Sequence, residues 1–153
     1  MKRALSVAFA ALLVVLALSL IAQARTVHSS RASTVTVIEH AKTDWVTDTG
    51  KKGDSAGDLL TWHNKVYDST DTSVAGHDQG ECTRISPVHG SWECTWITWI
   101  GPDSITVEGP FYDTKDSTLA ITGGTGAYAN ATGEMDVVMM NGGTEYAFDY
   151  RVG

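Results

Sequence analysis

Basic side chains are scarce in this chain. Of 153 residues, Lys and Arg number 11 against 18 Asp and Glu, a formal net charge of −7. Binding to nucleic acid requires cations that neutralise phosphates, and an anionic membrane surface makes the same demand. Both partners are therefore excluded as expectations. Proline is rarer still, at three residues, and only two cysteines are present, Cys82 and Cys94. So few thiols do not make a cysteine-rich metal centre. There is no CxxC, no HExxH and no GxSxG, and His28, His40, His63, His77 and His89 are scattered. The histidines read as exposed or hydrogen-bonded side chains, so no metal and no cofactor is expected.

One long apolar run is present, Ala4 to Ala22, preceded by Lys2 and Arg3 and ending in Ala22-Gln23-Ala24. That pattern predicts a cleavable signal peptide over residues 1–24, helical in its apolar stretch. The run is also about long enough to span a bilayer as an uncleaved anchor. No basic stop-transfer cluster follows it, which favours cleavage. The mature chain would then be secreted, without stable membrane insertion. Removing two cations and no acids takes the net charge from −7 to −9. Residues 25–33 (RTVHSSRAS) read as a flexible lead-in, and residues 34–153 as one domain with room for a core.

That domain has no long window of helical periodicity. It has instead short runs rich in Val, Ile, Thr, Trp and Tyr, set apart by Gly, Asp, Asn, Ser and Pro. Eight strands are predicted: Thr34–Ala41, Asp58–Tyr67, Ala75–Ile85, Trp92–Ile100, Ser104–Phe111, Ser117–Thr122, Glu134–Met140 and Thr144–Val152. Pro87-Val88-His89-Gly90, Gly101-Pro102-Asp103 and Asn141-Gly142-Gly143 mark tight turns, and polar Lys42–Gly57 reads as a long loop. Strands joined this tightly are antiparallel. Closure into an all-β, eight-stranded up-and-down barrel removes their exposed edges; a two-sheet sandwich is the alternative.

Alternation places Leu60, Trp62, Asn64 and Val66 on one face, apolar except for Asn64. A buried amide there either serves a ligand or is a hydrogen-bonded core Asn. A hairpin centred on Val88 sets Cys82 opposite Cys94, since each lies six residues from that centre. In an exported protein this favours a cross-strand disulfide over free thiols. Gly124 to Ala129 spells GxGxxA, but no helix or βαβ unit follows, so a dinucleotide site is rejected in favour of a bend at a barrel corner. Asn130-Ala131-Thr132 is a glycosylation sequon of use only in a glycosylating host.

Several stretches together resemble the allene oxide cyclase barrel family, which is similar in fold to the plant dirigent proteins. They are Gly57-Asp58-Leu59-Leu60, Asn64-Lys65-Val66-Tyr67, Gly80-Glu81-Cys82, Ile105 to Phe111 (ITVEGPF) and Leu119 to Gly126 (LAITGGTG). The resemblance covers residues 34–152. It implies an eight-stranded barrel, often trimeric, whose apolar lumen folds a small hydrophobic substrate while a few polar groups assist ring closure. On it, Glu39 matches the family's barrel glutamate, Asn64 the asparagine that holds a water, and Cys82 a pocket cysteine. Departures are also visible. Phe111 stands where the plant enzymes have a tyrosine, Thr47 and Asp48 occupy the place of a Ser-Pro pair, and Thr132 precedes Gly133-Glu134 where dirigent proteins carry Arg.

Three readings follow. The first is cyclase or isomerase chemistry, with Glu39 and Asn64 as catalytic residues and Trp62, Phe111 and Cys82 shaping the substrate site. The second is non-catalytic carriage, lipocalin-like or dirigent-type. The third is a surface protein with a filled core.

Overall fold

The computed structural model describes residues 33–153. The expected leader and nearly all of the lead-in lie outside the described residues. Nine strands follow in order: β1 (Ser33–His40), β2 (Trp45–Thr47), β3 (Leu59–Tyr67), β4 (Val74–Ser86), β5 (Ser91–Ile100), β6 (Asp103–Tyr112), β7 (Ser117–Thr125), β8 (Gly133–Met140) and β9 (Glu145–Val152). From β3 to β9 each strand pairs antiparallel with the next. The short turns leave no other choice. β1 pairs with β9 along its whole length, Ser33 opposite Val152 to His40 opposite Glu145. It then meets β3 through Ile38, Glu39 and His40, opposite Tyr67, Val66 and Lys65. That second contact closes an eight-stranded barrel, and β2 is one strand beyond the eight.

β2 corrects the expectation of a structureless loop over Lys42–Gly57. It lies on the same side of β3 as β1, with Trp45 opposite Thr61 and Thr47 opposite Leu59. β1 and β2 are thus one strand interrupted at residues 41–44, where the pairing slips by one position. Such an irregularity re-aims side chains and ends regular pairing.

Inward-facing residues fill one half of the barrel. Val37, Val66, Ile105, Leu119, Ile121, Met135 and Tyr150 are buried there. The buried Tyr150 hydroxyl donates to Thr98 Oγ1 at 2.7 Å, which satisfies a polar group that would otherwise be costly. Cys82 and Cys94 face each other across β4 and β5 and form a disulfide. Closing a loop of this length stabilises by roughly 3 kcal/mol. At the β8–β9 turn, Asn141 (φ 48°) and Gly142 (φ 70°) both adopt the left-handed conformation that a tight hairpin needs. The Gly124–Ala129 stretch ends β7 and passes through a single 3₁₀ turn, Gly126–Tyr128, into β8. It offers no helix on which a pyrophosphate could sit.

Candidate functional site

The other half of the barrel is open. At the end where β1, β4, β6 and β8 finish, a cavity of about 140 Å³ is walled by Trp62, Trp92, Trp96, Phe111, Tyr146 and Phe148. These rings brace one another. Trp62 meets Trp96 edge-on at 5.6 Å, Trp96 tilts against Phe148 at 5.5 Å, and Phe111 meets Tyr146 edge-on at 5.7 Å. Gly80 makes the first contact possible, because a Cβ there would lie 2.3 Å from Trp96 Cβ and 2.8 Å from Trp62 Cζ2. The volume is below the roughly 300 Å³ of a drug-sized pocket. It matches the scale of an engineered cavity that holds a benzene ring.

Four residues singled out from the sequence meet on this cavity: Glu39, Trp62, Cys82 and Phe111. Cys82 presents a disulfide sulfur, not a thiol. Asn64 stands behind Glu39, not on the cavity wall. Its Nδ2 donates to Glu39 Oε1 and to Asp44 Oδ1, each at 2.7 Å. Its Oδ1 accepts from Lys42 N at 3.0 Å, Thr43 N at 2.9 Å and Thr43 Oγ1 at 3.1 Å. The amide therefore supplies the hydrogen bonds that the broken strand lacks, and both its hydrogens are taken. It fixes where Glu39 and Asp44 point.

Glu39 is only 5% exposed. Burial pushes its pKa well above the ordinary carboxylate value; the charge of Asp78 adds to the rise, and the Asn64 hydrogen bond opposes it. Asp78 is fully buried beside it. Its Oδ2 accepts from Trp62 Nε1 at 2.9 Å, while Oδ1 has no partner among the described residues. Burial is also the main reason that Asp78 rises from 3.8 to about 7. Burial and mutual repulsion thus both favour the protonated form of this pair. Tyr146, on the cavity wall, is pushed up by burial and then by Glu39.

Sequence reasoning missed Asp78 and the rim. Arg84 is inward-facing and its guanidinium lies 4.1 Å over the Trp92 ring. Its Nε and Nη2 donate to the two Asp54 oxygens at 2.7 and 2.9 Å, and its Nη1 to Asp113 Oδ2 at 2.6 Å. Trp92 Nε1 donates to the other Asp113 oxygen at 2.7 Å. This network ties the segment after β2 and the β6–β7 turn to the mouth. A usable signal existed: Asp78, Gly80, Cys82 and Arg84 follow the period of two, so a pocket Cys82 puts all four inside.

On the outer wall, His40, Asp71 and Glu145 bring potential metal-ligand atoms within 4.8 Å of one another. There His40 Nε2 already engages Asp71 Oδ1 at 2.8 Å, and its ring stacks on Tyr67 at 4.2 Å. His63, His77 and Trp99 form a second stack outside, with 5.1 and 4.7 Å between rings.

Solved structures share this architecture. A pyocyanin demethylase superposes with a TM-score of 0.69 at 27% identity, over 79% of this chain and 100% of the other. A pterocarpan synthase dirigent protein gives 0.64 at 13%, over 80% of this chain and 83% of its own. A Diels-Alderase from Streptomyces koyangensis gives 0.58 at 14%, over 81% and 69%. The last two likenesses concern the fold. The family model described as allene oxide cyclase matches residues 31–145. With that match over most of its length, and the closed barrel it describes, the chain belongs to the allene oxide cyclase family.

Proposed function

We propose that this barrel is an exported enzyme that binds a compact, ring-bearing apolar molecule and rearranges it by proton transfer through Glu39. One observation carries the reading: a buried carboxyl, whose burial raises its pKa and favours the protonated form, opens onto a cavity walled by aromatic rings. Glu39 Oε1 accepts from Asn64, so Oε2 is the oxygen free to carry a proton to a substrate atom. A positioned acid of matched pKa is the efficient form of such catalysis. The rings supply shape and exclude water, and Asn64 acts as a positioning residue. The 27% identical structural neighbour that demethylates pyocyanin supports small-molecule chemistry in a barrel of this kind.

A second reading, carriage without chemistry, draws on a specific observation. Asn64 has both amide hydrogens engaged and Cys82 is in a disulfide, so neither presents a free group to a ligand. One experiment divides the two. Native mass spectrometry of the protein taken from its producer identifies a co-purifying molecule, and Glu39→Gln is then tested with it. Catalysis predicts that the variant keeps its ligand and loses turnover at least a hundredfold. A variant that converts the molecule at the wild-type rate removes Glu39 from the mechanism.

Export through residues 1–24 belongs to the same proposal. The Cys82–Cys94 disulfide suits an oxidising compartment, and no helix of the described residues is long and apolar enough to cross a membrane. N-terminal sequencing of the exported protein is expected to begin at Arg25; a product starting at Met1 would overturn the cleavage.

A further inference from the structure

The cavity's charge pattern is one-sided. Besides its rings, its acidic lining groups are Glu39, Asp44 and Asp113, and none of its lining residues is Lys, Arg or His. Asp113 is matched by Arg84 at 2.6 Å, whereas Asp44, exposed at the lip, meets only the neutral amide of Asn64. An anionic ligand would therefore face carboxyl groups, and the cation at the rim, Arg84, is already paired with Asp54 and Asp113. A ligand cation would face aromatic rings, whose negative π-faces attract positive charge, and a carboxylate already held in place. The same rim holds a cation in just this manner. Arg84 rests 4.1 Å over the Trp92 ring, between Asp54 and Asp113.

We infer that the barrel mouth is a cage for a positively charged nitrogen, quaternary or protonated, carried by a compact apolar molecule. This deepens the reading of the cavity as a ligand site and rests on it. The volume of about 140 Å³ suits one such head or one ring, with the remainder of a larger molecule emerging past Asp44. Long-chain carboxylic acids are excluded as ligands entering head-first.

Three probes of nearly equal shape separate charge from fit. They are choline, its uncharged isostere with tert-butyl in place of trimethylammonium, and the anion trimethylacetate. Each is titrated into the mature protein while the indole N–H resonances are followed by NMR. Trp62, Trp92 and Trp96 line the cavity, whereas Trp45 and Trp99 lie outside it. Choline is expected to move the first three resonances and to bind at least about tenfold more tightly than the isostere, with trimethylacetate weakest. Asp44→Asn keeps the oxygen that accepts from Asn64, and is expected to weaken choline about fivefold and leave the isostere unchanged. Equal affinity for choline and the isostere, or tighter binding of trimethylacetate, overturns the cation cage while leaving the ligand cavity standing. If none of the three moves Trp62, Trp92 or Trp96, the cavity reading falls with it.

Discussion

Replacing Asp78 by Asn should make the protein more stable, and only above acidic pH. The folded state raises the Asp78 pKa from 3.8 to about 7, so the folded chain binds this proton more tightly than the unfolded chain does. The contribution is favourable below the unfolded value, near pH 4, and is lost as pH rises towards 7. A displacement of that size corresponds to roughly 4 kcal/mol. Asn has the same shape and keeps an oxygen for Trp62 Nε1, now 2.9 Å from Asp78. Its NH₂ can donate where Asp78 repels Glu39. The expected gain for Asp78→Asn is therefore near zero at pH 4 and about 2–4 kcal/mol at pH 8. Urea unfolding of both proteins, followed by tryptophan fluorescence at pH steps from 4 to 8, measures it. Asp68, which Thr70 and Thr72 hold down to about 2, adds a slope of opposite sign that ends near pH 4 and cancels in the comparison. A variant less stable than wild type at pH 8, or an offset that does not change with pH, would refute a protonated carboxyl pair inside the barrel.

Two further substitutions probe the site's construction. Asn64→Ala removes five hydrogen bonds to Glu39, Asp44, Lys42 and Thr43, and is expected to cost about 3 kcal/mol in the same unfolding assay. A loss under about 1 kcal/mol would mean that the amide does not hold the broken strand. Gly80→Ala drives a methyl to 2.3 Å from Trp96 Cβ and 2.7 Å from the Thr95 carbonyl oxygen. It should destabilise by about 1–3 kcal/mol and alter the near-ultraviolet circular dichroism of the Trp62–Trp96 pair; an unchanged spectrum would contradict that packing.

Much of this fold is legible in the order of the residues alone. The face shared by Leu60, Trp62, Asn64 and Val66 follows from alternation in a segment where apolar residues recur at every second place. The pairing of Cys82 with Cys94 follows from the symmetry of one hairpin. β2 escapes notice because Trp45, Val46 and Thr47 are three residues enclosed by Asp44 and Asp48, too few to set a period. Asp78 escapes for another reason. The inward face of β4 reads Gly76, Asp78, Gly80, Cys82 and Arg84, so hydrophobicity carries no phase there. Those polar groups are tolerated inside only because β3, the segment after β2 and the β6–β7 turn bring Trp62, Asp54 and Asp113 to them, and such partners depend on the closed barrel.

The first strand of the barrel is also the one that pairs with its last. β3 through β9 can zip up neighbour by neighbour as they are made, but β1 waits for β9, more than a hundred residues downstream. Its junction with β3 spans just three facing positions. Sealing the lumen against water is thus a late, long-range event. A chain threaded outward in unfolded form would shut only after its last strand had crossed, with the aromatic cage assembled on the far side.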